Sequence, residues 1–163
     1  MEITKAEITH KKLLASLISE SNKDVAIQFG ISFDNNPKHP SFCTPEWISS
    51  DFDKGQEYFL LTKNNTTIGC IAFEQPRPNT AYLNRLSVLP DYRHQGAGEL
   101  LVKYIFQYAK EKNINEISIG IIASHDLLKS WYVKLGFIEK HTKKIEHLPF
   151  DVTYMKYELK ELK

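Results

Sequence analysis

The sequence predicts an α+β fold, a single domain over residues 1–163 built on a mixed, mostly antiparallel sheet flanked by helices. Three observations carry that expectation. A chain of 163 residues suits one domain and is long enough to bury about two-thirds of the surface its unfolded form exposes. Three β-rich apolar runs, EYFLLTK, TTIGCIAFE and TAYLNRLSV, follow one another through the middle of the chain. Apolar residues at helical spacing lie on both sides of those runs.

Taken in order, residues 2–6 read as a short strand, after which Thr9 can cap a helix whose apolar positions are Leu13, Leu14, Leu17 and Ile18. A second short helix reaches Phe29 and stops at Gly30. ISFDNNPKHPSFC is rich in turn formers. Thr44, Pro45 and Glu46 then supply a cap, a first-turn proline and a favourable charge for a helix that contains Trp47 and Ile48 and ends near Gly55.

EYFLLTK and TTIGCIAFE are separated by Asn64 and Asn65, which tolerate left-handed turns, so they form a hairpin. TAYLNRLSV is a third strand beyond a QPRPN loop. From Gly96, the residues Leu100, Leu101, Tyr104, Ile105 and Tyr108 mark one face of a helix running to about Lys112. NEISIGII reads as a buried strand and 126–135 as a helix ending at Gly136. FIEK begins another strand, and DVTYMKYEL alternates as the last.

The 21 basic and 20 acidic residues nearly cancel, so no global field draws the chain to nucleic acid or to an anionic membrane. No segment approaches the roughly 18 apolar residues that span a bilayer, and the N-terminus lacks a signal core. These features, with Cys43 and Cys70 expected as reduced thiols, predict a cytoplasmic protein. No pair of histidines or cysteines shows ligand spacing backed by a third group, so no metal is expected; His141 and His147 read as surface residues.

SVLPDYRHQGAGELL passes from a strand through a proline-stopped turn into a helix. The free N–H groups at such a helix start can hold an anion, and glycines let a phosphate approach the backbone, although glycines also occur there for steric reasons alone. Arg93 can add a charge-assisted contact to the same phosphate. GAGELL lacks the third glycine of a dinucleotide fingerprint, and no lysine followed by Ser or Thr completes a P-loop.

Arg93, His94, Gln95, Gly96, Ala97 and Gly98 match the signature of the GCN5-related N-acetyltransferase family: Arg or Gln, two residues, Gly, one residue, Gly or Ala. SWYVKLGF, residues 130–137, is similar to that family's aromatic, Tyr, two residues, Leu, Gly, Phe block, and together the motifs cover about residues 80–140. The resemblance implies a GNAT-like fold. It implies that residues 93–98, with Glu99, cradle the pyrophosphate of acetyl-CoA as acyl-donor cosubstrate. The backbone through Leu86, Ser87 and Val88 would align the pantetheine arm, the Val88 N–H would polarise the thioester carbonyl, and Tyr132 would protonate the departing sulfur. His125 stands where many relatives carry an asparagine that contacts the pantetheine arm.

Acetyl transfer also needs the amine neutral, and a free amine of pKa ~10 is mostly charged at neutral pH. Many relatives carry a glutamate at a position matched here by Asn84, which cannot accept a proton. Glu74, acting through water, and His39, in the loop ahead of the third helix, are the other candidates for a base. Residues 9–55 form the expected acceptor side, with Phe29, Phe33, Asp34, Asn35, Asn36, Phe42, Cys43 and Trp47 either shaping a pocket or simply packing helices over the sheet. The reading is therefore an N-acetyltransferase acting on a primary amine of a small molecule or peptide, with a CoA-binding domain lacking transferase activity as the alternative. Neither nucleic acid nor membrane is an expected partner, and exposed strands at the sheet edge could support a homodimer.

Overall fold

The computed structural model describes residues 1–159. Its sheet has seven strands: β1 (Glu2–Lys5), β2 (Glu57–Lys63), β3 (Thr66–Arg77), β4 (Thr80–Val88), β5 (Glu116–Ile122), β6 (Ile138–Lys144) and β7 (Asp151–Glu158). They are ordered β1-β2-β3-β4-β5-β7-β6, and every neighbouring pair is antiparallel except β4 and β5. Helices α1 (Lys11–Ser21), α2 (Lys23–Gln28) and α3 (Pro45–Asp53) precede β2, α4 (Ala97–Glu111) crosses from β4 to β5, and α5 (Asp126–Lys134) joins β5 to β6.

Two cores form because the β-strands alternate their side chains between faces. On one face Leu14, Leu17 and Ile18 of α1 and Ile48 of α3 pack on Tyr58, Leu60, Cys70 and Ala72. On the other, Leu101, Val102 and Ile105 of α4, with Tyr132 and Phe137, pack on Phe59, Ile71, Phe73, Leu83 and Ile117. Each fully buried Leu, Ile or Phe contributes about 1.5–3 kcal/mol, so this two-sided burial is the main support of the sheet.

Several expected elements shift by a turn or a face. Thr9 does not cap α1: it lies in a short 3₁₀ turn, Ile8–His10, anchored where the Glu7 N–H donates to His10 Nδ1 at 2.9 Å. Leu13 and Leu100 are exposed, because the buried stripes run through Leu14, Leu17 and Ile18 in α1 and through Ala97, Leu101, Ile105 and Ala109 in α4. β3 continues through Gln75, Pro76 and Arg77, so QPRPN is strand for its first three residues. β5 buries only Ile117, Ile119 and Ile121; its other side opens on a cleft.

Two features of β4 position the cleft. First, Cys70 pairs with Ser87 and Ala72 with Asn84, so Arg85 and Leu86 together oppose Ile71 in a β-bulge, and Arg85 takes a left-handed φ of 57°. Gly69 beside it approaches so closely that a Cβ would stand 2.9 Å from the Ser87 carbonyl oxygen. Second, β4 and β5 pair only at Thr80–Glu116, Ala81–Ile117 and Tyr82–Ser118. Beyond Tyr82 the strands diverge.

At the C-terminus of α5, Gly136 has a φ of 107°, and a Cβ there would meet the Tyr157 ring at 2.8 Å. Gly136→Ala is expected to cost about 1–3 kcal/mol, a fall in Tm on the order of 5 °C in a thermal melt. An unchanged melt would show that neither the backbone nor Tyr157 resists a side chain there.

Candidate active site

Where β4 and β5 part, a cleft of about 1640 Å³ opens through the sheet, running from the start of α4 past Tyr132 to Tyr82, Lys140 and the β6–β7 loop. One wall is β4 from Leu83 to Val88 and the other is β5 from Ser118 to Ile122. Both strands here turn backbone groups toward the gap that would pair with each other in a continuous ladder.

The turn before α4 is built from two left-handed residues, His94 (φ 62°) and Gly96 (φ 82°), with Gly96 as N-cap. The first intrahelical bond runs from the Leu100 N–H to the Gly96 carbonyl, so the N–H groups of Ala97, Gly98 and Glu99 have no helical partner. A Cβ on Gly96 would meet nothing within 4 Å, leaving open space over the helix start. Gly98 serves another purpose: a Cβ there would stand 3.1 Å from the Trp131 ring, so its absence lets α5 pack on α4. Backbone donors, an open approach and a positive helix end fit a diphosphate group.

The Arg93 side chain is engaged within the protein. Instead of pointing free toward a phosphate, its guanidinium donates to both carboxylate oxygens of Asp24, at 2.5 and 3.3 Å, to the Ser21 carbonyl and, through Nε, to the Val88 carbonyl at 3.2 Å. It thus ties the end of α1 and the first turn of α2 to the end of β4, and it holds the Asp24 carboxyl below its ordinary range. Gln95 turns away as well, its Oε1 accepting from Lys63 Nζ at 2.7 Å, and Glu99 pairs with Lys103 at 2.9 Å along α4. Among residues 93–99, His94, Gly96, Ala97, Gly98 and Glu99 line the cleft alongside Arg93; Gln95 does not.

Tyr132 lines the cleft from α5 with its ring wedged edge-on between Trp131 (5.0 Å) and Phe137 (5.2 Å). Burial pushes its phenol well above the ordinary value, so the hydroxyl holds its proton at neutral pH. Leu86, Ser87 and Val88 border the same opening, and Ser87 Oγ accepts from Asn22 Nδ2 at 3.3 Å. His125 is the N-cap of α5: its Nδ1 accepts from the Leu128 N–H at 3.4 Å, and its ring leans on Phe29 at 5.1 Å.

The candidate bases are disposed differently. Asn84 donates to Gln56 Oε1 at 3.3 Å, and Gln56 in turn donates to Asp51, so Asn84 belongs to a structural network. Glu74 pairs with Tyr82 across β3 and β4 but is not among the residues lining the cleft. His39 does line it, buried, with Nδ1 accepting from the Ser41 N–H at 3.2 Å and lying 2.7 Å from Ser41 Oγ. Those contacts occupy the Nδ1 lone pair and put the ring proton on Nε2, so neutral His39 presents a donor.

Of the loop aromatics, Phe42 meets Phe33 edge-on at 5.6 Å, Phe33 is exposed, and Trp47 lies under the Arg85 guanidinium. Cys43 is buried with its thiol pushed up to about 11, which leaves it an inert packing group, and Cys70 is buried deeper; both are free. Among the described residues no group of three or more His, Cys, Asp or Glu could hold a metal ion, and no helix is long and apolar enough to cross a membrane.

Sequence reasoning missed Asp24 and Ser21 as partners of Arg93, Tyr82 and the β6–β7 loop as cleft walls, and Arg85. A signal for Arg85 was present: two consecutive polar residues, Asn84 and Arg85, break the alternation of an otherwise apolar strand, as a bulge does.

A family model described as "Acetyltransferase (GNAT) family" matches residues 25–137. The chain is 28% identical over 83 residues to the amino-acid acetyltransferase of Vibrio atlanticus (strain LGP32), covering 50% of this chain and 18% of that protein. It is 28% identical over 97 residues to the [ribosomal protein bS18]-alanine N-acetyltransferase of Escherichia coli (strain K12), covering 57% of this chain and 65% of that one. It thus spans less than two thirds of either relative. Among solved structures, the ribosomal-protein-S18-alanine N-acetyltransferase from Escherichia coli superposes with a TM-score of 0.79 at 17% identity, covering 99% of this chain and 96% of that one. A GNAT family acetyltransferase from Elizabethkingia anophelis with acetyl-CoA bound gives 0.63 at 24% identity, covering 70% and 82%.

Burial lowers the basicity of both His39 and His125. The folded state therefore binds fewer protons than the unfolded chain, whose histidines titrate near ~6.5. Their neutral forms stabilise the fold fully above that pH, and the contribution is lost as pH falls below it toward their folded values. Thermal melts are expected to drop between pH 7.5 and pH 5.5, and a His39→Gln, His125→Asn double variant to flatten that slope; an equal slope in the variant would assign the pH dependence to other groups.

Proposed function

Because the chain belongs to the acetyltransferase (GNAT) family, we propose that it moves an acetyl group from acetyl-CoA to a primary amine by direct transfer. One observation carries this reading: the gap between β4 and β5, which begins beside the α4 N-terminus and passes Tyr132. When bound there, acetyl-CoA supplies an activated thioester for a neutral amine to attack.

The chain's own residues then have separate tasks. N–H groups of Ala97, Gly98 and Glu99 hold the diphosphate against the positive end of α4. The exposed backbone of Leu86 to Val88 takes the pantetheine arm in place of the missing β5 partner, and the Val88 N–H draws charge from the carbonyl oxygen. Tyr132 delivers its phenolic proton at the sulfur as the C–S bond breaks. The amine loses its own proton to water.

Deprotonation needs no direct carboxylate if the amine enters neutral. Asp24 and Glu99, the carboxylates lining the cleft among the described residues, belong to the glycine-turn end, while Arg77, Arg85 and Lys140 line the other. Cations near an amine disfavour its charged form and lower its pKa. The relatives differ in acceptor, an amino acid in one name and a ribosomal-protein alanine in the other. A small amine or a peptide therefore stays within the proposal. A cytosolic setting, where the two thiols remain reduced, is part of the same reading.

Tyr132→Phe keeps the ring that packs between Trp131 and Phe137 while removing the proton. In an assay of acetyl-CoA-dependent thiol release, kcat is expected to fall about 10²-fold with acetyl-CoA binding retained. Full activity in the variant would make Tyr132 a packing residue. Acetyl-CoA binding without release toward any amine would favour a CoA-binding domain that does not transfer.

A further inference from the structure

The bulge in β4 does more than shape the gap. It turns Asn84 and Arg85 toward the α3 side in succession, where Trp47 and Asp51 hold the Arg85 side chain. Its guanidinium lies 5.4 Å from the Trp47 ring centroid, and its Nε lies 3.5 Å from Asp51 Oδ2. Its backbone is fixed too, the carbonyl accepting from Ser87 Oγ at 3.0 Å and facing Cys70 Sγ at 3.8 Å.

The guanidinium is nonetheless under-partnered. Among the described residues Nη1 and Nη2 make no well-formed hydrogen bond, although the Tyr58 hydroxyl and Asp51 lie beside the guanidinium, and the side chain is 21% exposed and lines the cleft. Asp51 meets the guanidinium through Nε at 3.5 Å and also accepts from Gln56 at 3.2 Å and from the Tyr58 hydroxyl at 2.6 Å, so its charge is shared among three neighbours. The fork opens on the cleft, where water fills its donors until a ligand with paired acceptors takes their place. Arg77 and Lys140 also line this end, Lys140 paired with Glu116 at 3.4 Å. Such an end attracts an anion and repels an acceptor whose amine arrives on a cationic chain.

We propose that the acceptor is a small amine carrying its own carboxylate, in the simplest case a free amino acid, and that Arg85 is the residue that selects it. The carboxylate takes Nη1 and Nη2 as a planar, two-point contact that a lysine could not reproduce. The amine is thereby turned toward the backbone of Leu86 to Val88, one residue further along β4. Because Trp47, Asp51 and the bulge fix the guanidinium before binding, little ordering is required when the acceptor arrives. The inference rests on the acetyl-transfer reading above.

The test compares thiol release by the wild-type protein with L-alanine and L-glutamate against L-alaninamide, ethylamine, phosphoethanolamine and an alanine-initiated peptide. The amino acids are expected to exceed the amide in kcat/KM by about 30-fold or more, the loss typical of a two-point charged contact. Arg85→Gln is expected to raise KM for the acids by a similar factor with a much smaller change in kcat and with acetyl-CoA affinity retained; Arg85→Lys should fall between. Equal use of acid and amide, preference for the peptide or the phosphate-bearing amine, or an unchanged KM in Arg85→Gln would overturn the assignment while leaving acetyl transfer standing. Release from no acceptor, with acetyl-CoA bound, would overturn both. If Arg85→Gln fails to fold, the wild-type comparison and Arg85→Lys decide.

Discussion

A β-sheet that stops pairing in its middle is the constraint on which the rest of this structure depends. β4 and β5 bond over three residues and then separate, so two strands inside the protein turn unpaired backbone groups toward each other across a gap. Buried backbone donors and acceptors without partners are expensive, and a protein keeps them only where water or a ligand completes them. The bulge at Arg85 and Leu86 and the close approach of Gly69 to Ser87 bend β4 away from β5 while β3 stays paired on its other side, its register shifted by the bulge. α4 must leave from the diverging end of β4, which puts its free N–H groups at the mouth of the same gap. The diphosphate cradle and the slot for an extended arm are thus two consequences of one divergence.

The hairpin, the meander, the four longer helices and the two family motifs were legible because each is written locally, in spacing, caps and turn residues. Thr44 caps α3 as its sequence predicts, accepting from the Trp47 N–H, and Gly30 and Gly136 close their helices with positive φ. What was not legible depends on pairing at a distance. Arg93 satisfies the phosphate-binding pattern, yet Asp24, 69 residues earlier, takes its side chain. Leu100 fits a helical stripe, yet the stripe that faces the sheet runs one residue later. NEISIGII looks fully buried because nothing local records that its neighbour has moved away.

The Arg93 clamp alters how the pyrophosphate end is understood. With its guanidinium spent on Asp24, Ser21 and Val88, the signature arginine contributes shape: it fixes α2 against the end of β4 and so sets where the following turn begins. In the proposed function, binding of the diphosphate then rests on backbone N–H groups and the α4 dipole, which carry no side-chain entropy to lose. His94 and Gly96, both left-handed, aim those groups, and only the glycine leaves open the space through which an anion approaches.

At the opposite end the absence of a carboxylate facing the acceptor and the presence of an unspent guanidinium belong together. A carboxylate base beside the thioester would pair with Arg85, filling its donors and cancelling the field of that end. With only Nε engaged by Asp51, the guanidinium still offers two directed donors to whatever anion the acceptor carries, and its charge lowers the pKa of an incoming amine. An amino acid gains from both at once, since its carboxylate contacts the same cation that holds its amine neutral. Asn84 fits this arrangement: neutral and bonded to Gln56, which bonds Asp51, it adds no charge that would compete with the acceptor for Arg85.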